Sequence, residues 1–393
     1  MIPGRRHFCL GCAGLAIGGL PAAAAGQWSP PSRFARPDDT TDEGGLWGLF
    51  DREETRLRRS AFLIRDPTLN AYVRDIACRL AGDHCPDLRV YLVRTPHFNA
   101  SMAPNGMMQV WSGLLLRAGN EAQLAAVLGH EIGHYYARHS LERLRDARSR
   151  AAFAQFLGFA FAAAGASGIG SLAQMGVLAS MFAYTRDQER EADGIGLELM
   201  ARAGYAPVQA SEIWSQLLDE IRGDSASASE YANRSVLFAT HPAIEDRRET
   251  LAAAAMKLPP SAADLGTGPY RQQLARFRTG FLNDELRRRR YGESLVLLDR
   301  LGRDLPDDGE IDYFRGEVYR LRAEPGDTER AMAAYDAAQA RPGAPPEVFR
   351  SQGLLHRQLG RETEAQAAFR RYLQQQPLAQ DAEMIRTYIQ GDP

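Results

Sequence analysis

The stretch NEAQLAAVLGHEIGHYYARH spans residues 120–139 and combines regularly spaced apolar side chains with a pair of histidines. The apolar residues recur at helical spacing and predict a strong amphipathic helix; they are Leu124, Val127, Leu128, Ile132 and Tyr135. Residues four apart lie on one face of a helix, so the imidazoles of His130 and His134 can bind one metal ion. Glu131 lies beside them and can reach a metal-bound water without binding the metal.

This arrangement is typical of zinc peptidases, whose catalytic zinc has a third protein ligand and an open fourth position. In a metzincin the third ligand is a histidine six residues after the second one. That position holds Ser140 here, which excludes a metzincin. The better candidate is the stretch EREAD at residues 189–193, where Glu189 and Asp193 are one helical turn apart. One carboxylate can bind zinc while the other orients a histidine. Glu191 points elsewhere on this helix and is the weaker candidate, and His139 is expected to be structural.

The first 26 residues have the composition of an export signal, and we exclude them from the fold. Arg5-Arg6 gives a twin-arginine-like charged region, a short apolar core follows, and cleavage is expected near Ala25. Residues 27–45 are rich in proline and glycine and predict a disordered leader. The mature chain is therefore expected to be exported.

Two cysteines, Cys78 and Cys85, remain after cleavage of the signal. An exported protein lies where disulfides persist, so we favour a bridge between them; two unpaired thiols are the alternative. Residues 88–93 alternate like a strand, and residues 99–110 predict a hairpin whose turn is Pro104-Asn105-Gly106.

Residues 151–185 include a long uncharged segment that glycines divide into two pieces. Each piece is shorter than the roughly 20 residues that a membrane-spanning helix needs. The segment therefore predicts a helical hairpin that is buried or touches a membrane peripherally, rather than one that crosses it.

The C-terminal part repeats with a period near 35 residues, marked by Pro306, Pro342 and Pro377. Small residues, aromatic residues and closing prolines at equivalent places resemble tetratricopeptide repeats; they include Gly316, Gly353, Tyr335 and Phe369. A generic helical bundle is the alternative. Stacked helix pairs of this kind leave a concave face for a partner.

The composition limits the function classes. The chain has 393 residues, 45% of them apolar, and a formal net charge of −2. Its length suggests two or three domains with real cores, which excludes a disordered protein or a disulfide-dense miniprotein. The near-zero charge argues against a nucleic-acid partner.

These blocks together resemble the HtpX and CAAX-prenyl-protease-like family of zinc metalloendopeptidases. The pattern RxxExEAD at 186–193 matches the second block of the family, and RHS at 138–140 follows the first. Asn99-Ala100 with Pro104-x-Gly106 resembles the family's hairpin, although Asn105 replaces the more usual glycine. The export signal and the repeats make the chain most similar to periplasmic BepA-like members. The resemblance covers residues 46–255 as a peptidase, and the repeats as an architecture.

The resemblance implies one Zn²⁺ per subunit, held by His130, His134 and Glu189, with Glu131 as general base and Asp193 orienting a ligand. It also draws attention to His241-Pro242, together with Arg247 or Arg248. His241 is implied either as a fourth zinc ligand in a latent state or as an oxyanion binder; a turn histidine is the alternative. The hairpin is expected to bind substrate as an added strand, with edge residues Asn99, Ala100, Met107 and Met108.

The sequence thus predicts a mainly α (α+β) protein. Residues 46–257 are expected to form a helical zinc metallopeptidase domain with a small β-sheet. Residues 258–269 are a linker, and residues 270–393 form an α-solenoid of tetratricopeptide-like repeats. The expected activity is hydrolysis of misfolded or unassembled envelope proteins, with the repeats recruiting clients. The alternative is a periplasmic chaperone or quality-control adaptor for outer-membrane protein assembly, with its repeats on the assembly machinery and little or latent proteolysis.

Overall fold

The computed structural model describes residues 28–146, 184–224, 244–258 and 265–390. The predicted export signal, residues 151–183, residues 259–264 of the predicted linker, and His241 lie outside the described residues. Within the described ranges, every helix is too short or too polar to cross a membrane.

The N-terminal half of the chain contains five α-helices, one 3₁₀ helix and a three-stranded sheet within residues 42–146. These elements are α1 (Asp42–Arg59), α2 (Pro67–Ala81), a 3₁₀ helix (Gly82–Asp87), β1 (Arg89–Val93), β2 (Ala100–Met102), β3 (Met107–Trp111), α3 (Ser112–Arg117), α4 (Glu121–Tyr136) and α5 (His139–Asp146). The predicted strand at residues 88–93 and the predicted amphipathic helix are confirmed as β1 and α4.

The remaining described elements are all helices. They are α6 (Arg186–Arg202), α7 (Gln209–Gly223), α8 (Ile244–Ala255), α9 (Thr267–Arg287), α10 (Tyr291–Asp304), α11 (Gly309–Arg322), α12 (Asp327–Gln339), α13 (Glu347–Gln358), α14 (Glu362–Gln375) and α15 (Ala382–Gln390). The prediction of a mainly helical protein with a small sheet is confirmed.

The sheet has the strand order β1-β3-β2, with β1 parallel and β2 antiparallel to β3. The predicted turn is present between the antiparallel strands β2 and β3. Gly106 is required in it, because its φ is 87° and a Cβ there would lie 2.3 Å from the Asp87 carbonyl oxygen. One part of the hairpin prediction is wrong. Met107 and Met108 lie on the central strand, whose backbone pairs on both sides. The outer strands are β1 and β2, and the backbone of residues 62–64 bonds the outer side of β1, so the free edge belongs to β2.

The predicted disordered leader also differs from the structure. Helix α1 begins at Asp42, because the Thr41 side chain accepts a hydrogen bond from the Gly44 N–H and caps it. Upstream, Arg33 donates to Asp87 (Nε–Oδ2 2.9 Å) and the Phe34 ring packs edge-on against Tyr135 (5.1 Å between centroids). Prolines had suggested disorder here, but these side-chain contacts hold residues 33–42 against the fold.

Helices α4 and α6 pack in close contact because both carry small residues where they cross. A Cβ on Gly133 would lie 2.7 Å from the Ala192 carbonyl oxygen, and one on Gly196 would lie 3.0 Å from the backbone nitrogen of His130. The side chains of His130 and His134 on α4 therefore face those of Glu189 and Asp193 on α6.

The C-terminal helices repeat one contact. A Cβ on Gly316 of α11 would lie 2.4 Å from the Tyr335 ring of α12, and a Cβ on Gly353 of α13 would lie 2.4 Å from the Phe369 ring of α14. The two glycines and the two aromatic residues thus occupy equivalent places, as their spacing predicted. The name tetratricopeptide repeat stays a prediction.

Buried ion pairs join the C-terminal helices to the upstream ones. Arg117 of α3 contacts Glu220 of α7 (Nε–Oε2 2.6 Å) and Glu285 of α9 (Nη2–Oε2 3.0 Å). Arg300 of α10 also contacts Glu220 (Nη2–Oε1 2.8 Å). The domain boundary at residues 258–269 stays a prediction, but charged side chains from both sides of it are in contact.

Candidate metal centre

Two helices present the candidate site. Helix α4 begins where the Asn120 side chain accepts a hydrogen bond from the Gln123 N–H, and all sixteen of its residues are buried. Helix α6 begins with a capping box, in which Thr185 and Gln188 each bond the other's backbone N–H (3.2 Å and 3.1 Å). This cap fixes the first turn of α6, which carries Glu189.

The side chains of His130, His134 and Glu189 converge, and their ligand atoms all lie within 4.8 Å of one another. The two histidine Nε2 atoms are 3.0 Å apart. Glu189 places Oε1 3.4 Å from His134 Nε2 and Oε2 3.6 Å from His130 Nε2. Two imidazole nitrogens and one carboxylate oxygen, all buried, form a donor set that suits a catalytic zinc ion. Glu131 is also buried, at 4% exposure.

A second carboxylate lies behind His130. Asp193 Oδ1 is 2.8 Å from His130 Nδ1, on the ring edge that faces away from His134 Nε2. Arg247 of α8 donates hydrogen bonds to the Asp193 carboxylate from two nitrogens, and its Nη1 lies 3.3 Å from Oε2 of Glu189. The sequence left Arg247 and Arg248 open; the structure places Arg247 in the cluster, while Arg248 is exposed and contacts Glu249.

The protonation states in this cluster follow from burial and charge. Burial and the nearby charge of Arg247 lower the pKa of His130 to about 4. Burial would raise the pKa of Asp193, but Arg247 and the hydrogen bond with His130 outweigh it and lower that pKa. At neutral pH, His130 is therefore neutral and Asp193 ionised, so His130 can offer a nitrogen lone pair while Asp193 accepts from its other nitrogen.

The surroundings of His134 were missed by sequence reasoning. Its Nδ1 lies 2.8 Å from Nδ1 of His139, whose Nε2 lies 3.3 Å from a carboxylate oxygen of Glu191. The Tyr184 ring stacks on the His134 ring at 3.8 Å between centroids and an angle of 16°. Helical spacing alone had placed both His139 and Glu191 away from the site.

The other predicted site residues that the structure describes lie outside α4 and α6. Cys78 and Cys85 are joined in a disulfide at the carboxyl end of α2. Asn99 and Ala100 are buried at the start of the edge strand β2. His241 is outside the described residues, so its place relative to the cluster stays a prediction.

Comparison with known proteins gives a family match over residues 63–255, to the model described as peptidase family M48. The chain is 32% identical over 232 residues to the putative beta-barrel assembly-enhancing protease of Vibrio cholerae, covering 56% of this chain and 46% of that protein. It is 29% identical over 237 residues to the beta-barrel assembly-enhancing protease of Escherichia coli (strain K12), covering 58% and 47%.

A shorter match is to the mitochondrial metalloendopeptidase OMA1 of Schizosaccharomyces pombe, at 34% identity over 160 residues, or 40% of this chain and 44% of that protein. The chain spans about half the length of the curated relatives that it matches.

Proposed function

Residues 63–255 form a peptidase family M48 domain, and on that premise we propose that the chain is a zinc metalloendopeptidase. Its substrates are peptide bonds of misfolded or unassembled envelope proteins. The observation that carries the proposal is the buried cluster of His130, His134 and Glu189, with Glu131 on the same helix as the histidines.

In this proposal His130, His134 and Glu189 hold one zinc ion per subunit. A bound zinc ion would supply the Lewis acidity that makes a water molecule more acidic and the scissile carbonyl more electrophilic. Glu131 acts as general base: its carboxylate takes the proton of the attacking water and delivers it to the leaving amine. Asp193 and Arg247 keep His130 in the orientation and tautomer that the cluster needs.

The edge strand β2 is the proposed binding place for substrate. Since β2 pairs with β3 on one side only, an extended polypeptide can add to its other side through backbone hydrogen bonds. A cavity of about 300 Å³, including its open mouth, lies beside His134 and is lined partly by Met102 of β2 and by Phe34. Backbone recognition favours unfolded chains of many sequences over one specific motif.

The remaining predictions complete the proposal. Residues 1–26 direct export to the periplasm, where the protein meets envelope substrates, and residues 151–185 give a peripheral contact with the membrane. The repeats in 270–393 recruit clients or the outer-membrane assembly machinery. His241 acts on the same site, as a fourth ligand that keeps the enzyme latent or as an oxyanion binder.

A second candidate, an assembly adaptor with latent proteolysis, is favoured by the relatives named for enhancing beta-barrel assembly. Removing residues 309–393 separates the two functions better than a cut at the linker, because it retains Glu285 and Arg300 as partners for buried charges upstream. A plain protease keeps native-client turnover after this deletion. An adaptor loses it and still cuts unfolded protein.

The deciding experiment compares β-casein digestion by the mature wild type, Glu131→Gln, His241→Ala and the exposed control Glu212→Gln, with the zinc content of each measured. We expect wild type and Glu212→Gln to digest casein and Glu131→Gln to be inactive with zinc bound. Wild-type rates in zinc-loaded Glu131→Gln would contradict the assignment of the base. Digestion by His241→Ala alone would identify a latent enzyme, and zinc-loaded proteins that all fail would favour the adaptor.

A further inference from the structure

The helical backbone is broken directly after the two-histidine helix. Helix α4 ends at Tyr136, and Arg138 adopts a left-handed conformation with a φ of 59° before α5 begins at His139. In a continuous helix, a residue five positions after His134 would be rotated by about 140° from it. The break at Arg138 instead brings His139 back against the ring of His134, where it is 1% exposed.

Metal binding by His134 fixes where the protons of His134 and His139 lie. Its Nε2 faces His130 and Glu189 and must keep its lone pair to bind a metal ion. A neutral imidazole has one N–H, so Nδ1 of His134 then carries the proton and donates it to Nδ1 of His139 at 2.8 Å. His139 must accept at Nδ1 and therefore carries its own proton on Nε2. That Nε2–H donates to Glu191 Oε2 at 3.3 Å.

From this chain of contacts we propose that His139 and Glu191 are positioning residues for the metal centre. Glu191 fixes the tautomer of His139, and His139 fixes the tautomer and the ring orientation of His134. The inference rests on the proposed function only in requiring that His134 binds a metal ion.

The two ligand histidines are then held by different chemistry. His130 is bound by the ionised carboxylate of Asp193, within the buried charge cluster that includes Arg247. His134 is bound by the imidazole of His139. This relay of hydrogen bonds, from His134 through His139, ends at Glu191, whose side chain is 60% exposed. The stacked Tyr184 ring restrains the face of the His134 ring, while His139 restrains rotation within its plane.

Partners of this kind typically change metal affinity by about 10–100-fold when they are removed. The test is therefore a zinc dissociation constant, measured by competition with a chromophoric chelator on the full-length mature protein stripped of metal. The visible absorption of the cobalt-substituted protein gives a second readout, because its bands depend on ligand geometry.

Four variants and one control separate hydrogen bonding from packing. His139→Phe removes the acceptor and keeps a planar ring, whereas the amide oxygen of His139→Asn can accept from Nδ1 of His134. Glu191→Ala removes the final acceptor, and Glu191→Gln retains one. Asp187→Asn neutralises a carboxylate that is 92% exposed on the same helix and serves as the control.

We expect His139→Phe to bind zinc about 10–100-fold more weakly, with shifted cobalt bands, and His139→Asn to recover most of the affinity. Glu191→Ala should lose affinity by up to about tenfold, and Glu191→Gln by less. Equal affinities for wild type, His139→Phe and Glu191→Ala would overturn the relay while leaving the zinc site intact.

A wild type that binds no zinc would overturn the metal centre itself, which distinguishes the two failures. If His139→Phe does not fold, the exposed Glu191 variants decide the question, since they leave the buried ring in place. An equal loss in Glu191→Ala and in the Asp187→Asn control would also overturn the relay, because it would reflect surface charge alone.

Discussion

Arg247 and Asp193 form a two-pronged ion pair in the interior, with Nη2–Oδ1 at 2.5 Å and Nε–Oδ2 at 3.0 Å. The same carboxylate contacts His130, and the guanidinium lies 4.1 Å from the centroid of the Trp214 ring. Helix α8 thus supplies a charge to a site built by α4 and α6. The planar guanidinium of Arg247 can contact the carboxylates of Asp193 and Glu189 at the same time. The point charge of a lysine ammonium could not contact both in this geometry.

Arg247→Lys should weaken zinc binding even though the positive charge is retained. Lysine offers a point charge in place of the fork, so Asp193 loses one prong and its hold on His130 loosens. We expect a loss of zinc affinity of at least about tenfold, measured by chelator competition. Arg248→Lys is the matched control, because the Arg248 side chain is next to Arg247 in the sequence and is exposed. Equal losses in the two variants would contradict a specific role for Arg247.

Gly133→Ala should separate the two helices that carry the candidate metal ligands. The new Cβ would lie 2.7 Å from the Ala192 carbonyl oxygen, so α4 and α6 must move apart and His134 must move away from Glu189. We expect about 1–3 kcal/mol of destabilisation in denaturant unfolding, together with weaker zinc binding. Gly194→Ala on α6 is the control: it meets no atom within 4 Å and should be neutral or stabilise the helix by up to about 1 kcal/mol.

The candidate metal ligands could be predicted from the sequence, because the histidine pair depends only on local helix geometry and Glu189 lies in a recognisable second pattern. His130 and His134 share a face wherever a helix forms, and a carboxylate pair one turn apart is found in the same way. His139 could not be predicted, since its position depends on the left-handed backbone at Arg138 and helical spacing assumes that no such break occurs. A basic residue just after a helix gives no sequence signal for that conformation.

The order of the strands in the sheet also could not be predicted from the sequence. Alternation and turn residues predicted the hairpin that contains Met107, but they do not tell which strand a third strand joins. The parallel pairing of β1 with β3 makes Met107 central and leaves β1 and β2 as the outer strands. In the C-terminal helices, by contrast, a repeated pattern gave equivalent positions directly, because Gly316 and Gly353 need the same close approach of an aromatic ring.

Glu54 should control stability in acid. Burial opposes its ionisation, but hydrogen bonds from Arg89 and Tyr91 outweigh this and lower its pKa to about 2. In the unfolded chain a glutamate has a pKa of about 4.3, so its contribution is complete above that pH and is lost as the pH falls towards 2.

The free energy of unfolding of the wild type should therefore fall between about pH 4.3 and pH 2, and Glu54→Gln should flatten this fall. Glu53→Gln is a control of opposite sign, because burial raises the pKa of Glu53 and protonation there favours the folded state. The measurement is urea unfolding at a series of pH values. An unchanged slope in Glu54→Gln would mean that α1 is not held to the sheet by this carboxylate.

Glu220 should couple the stability of the peptidase helices to that of the C-terminal ones. It is 1% exposed on α7 and binds both Arg117 of α3 and Arg300 of α10. Removing one member of a buried ion pair leaves an uncompensated charge and costs about 3–5 kcal/mol. Glu220→Ala should lower the free energy of unfolding by about this amount, whereas Asp219→Asn, whose side chain is 61% exposed, should change it little.

The way in which the variant unfolds separates coupling from local damage. All four tryptophans, including Trp214 on α7, lie before residue 258, so fluorescence reports on the peptidase part, and far-ultraviolet circular dichroism reports on all helices. If the buried charges join the two parts, both signals should move to lower denaturant together and stay coincident. A fluorescence transition that shifts alone would mean that α9 and α10 do not depend on Glu220. The contacts of Arg300 and Glu285 across the predicted linker would then contribute specificity of packing rather than stability.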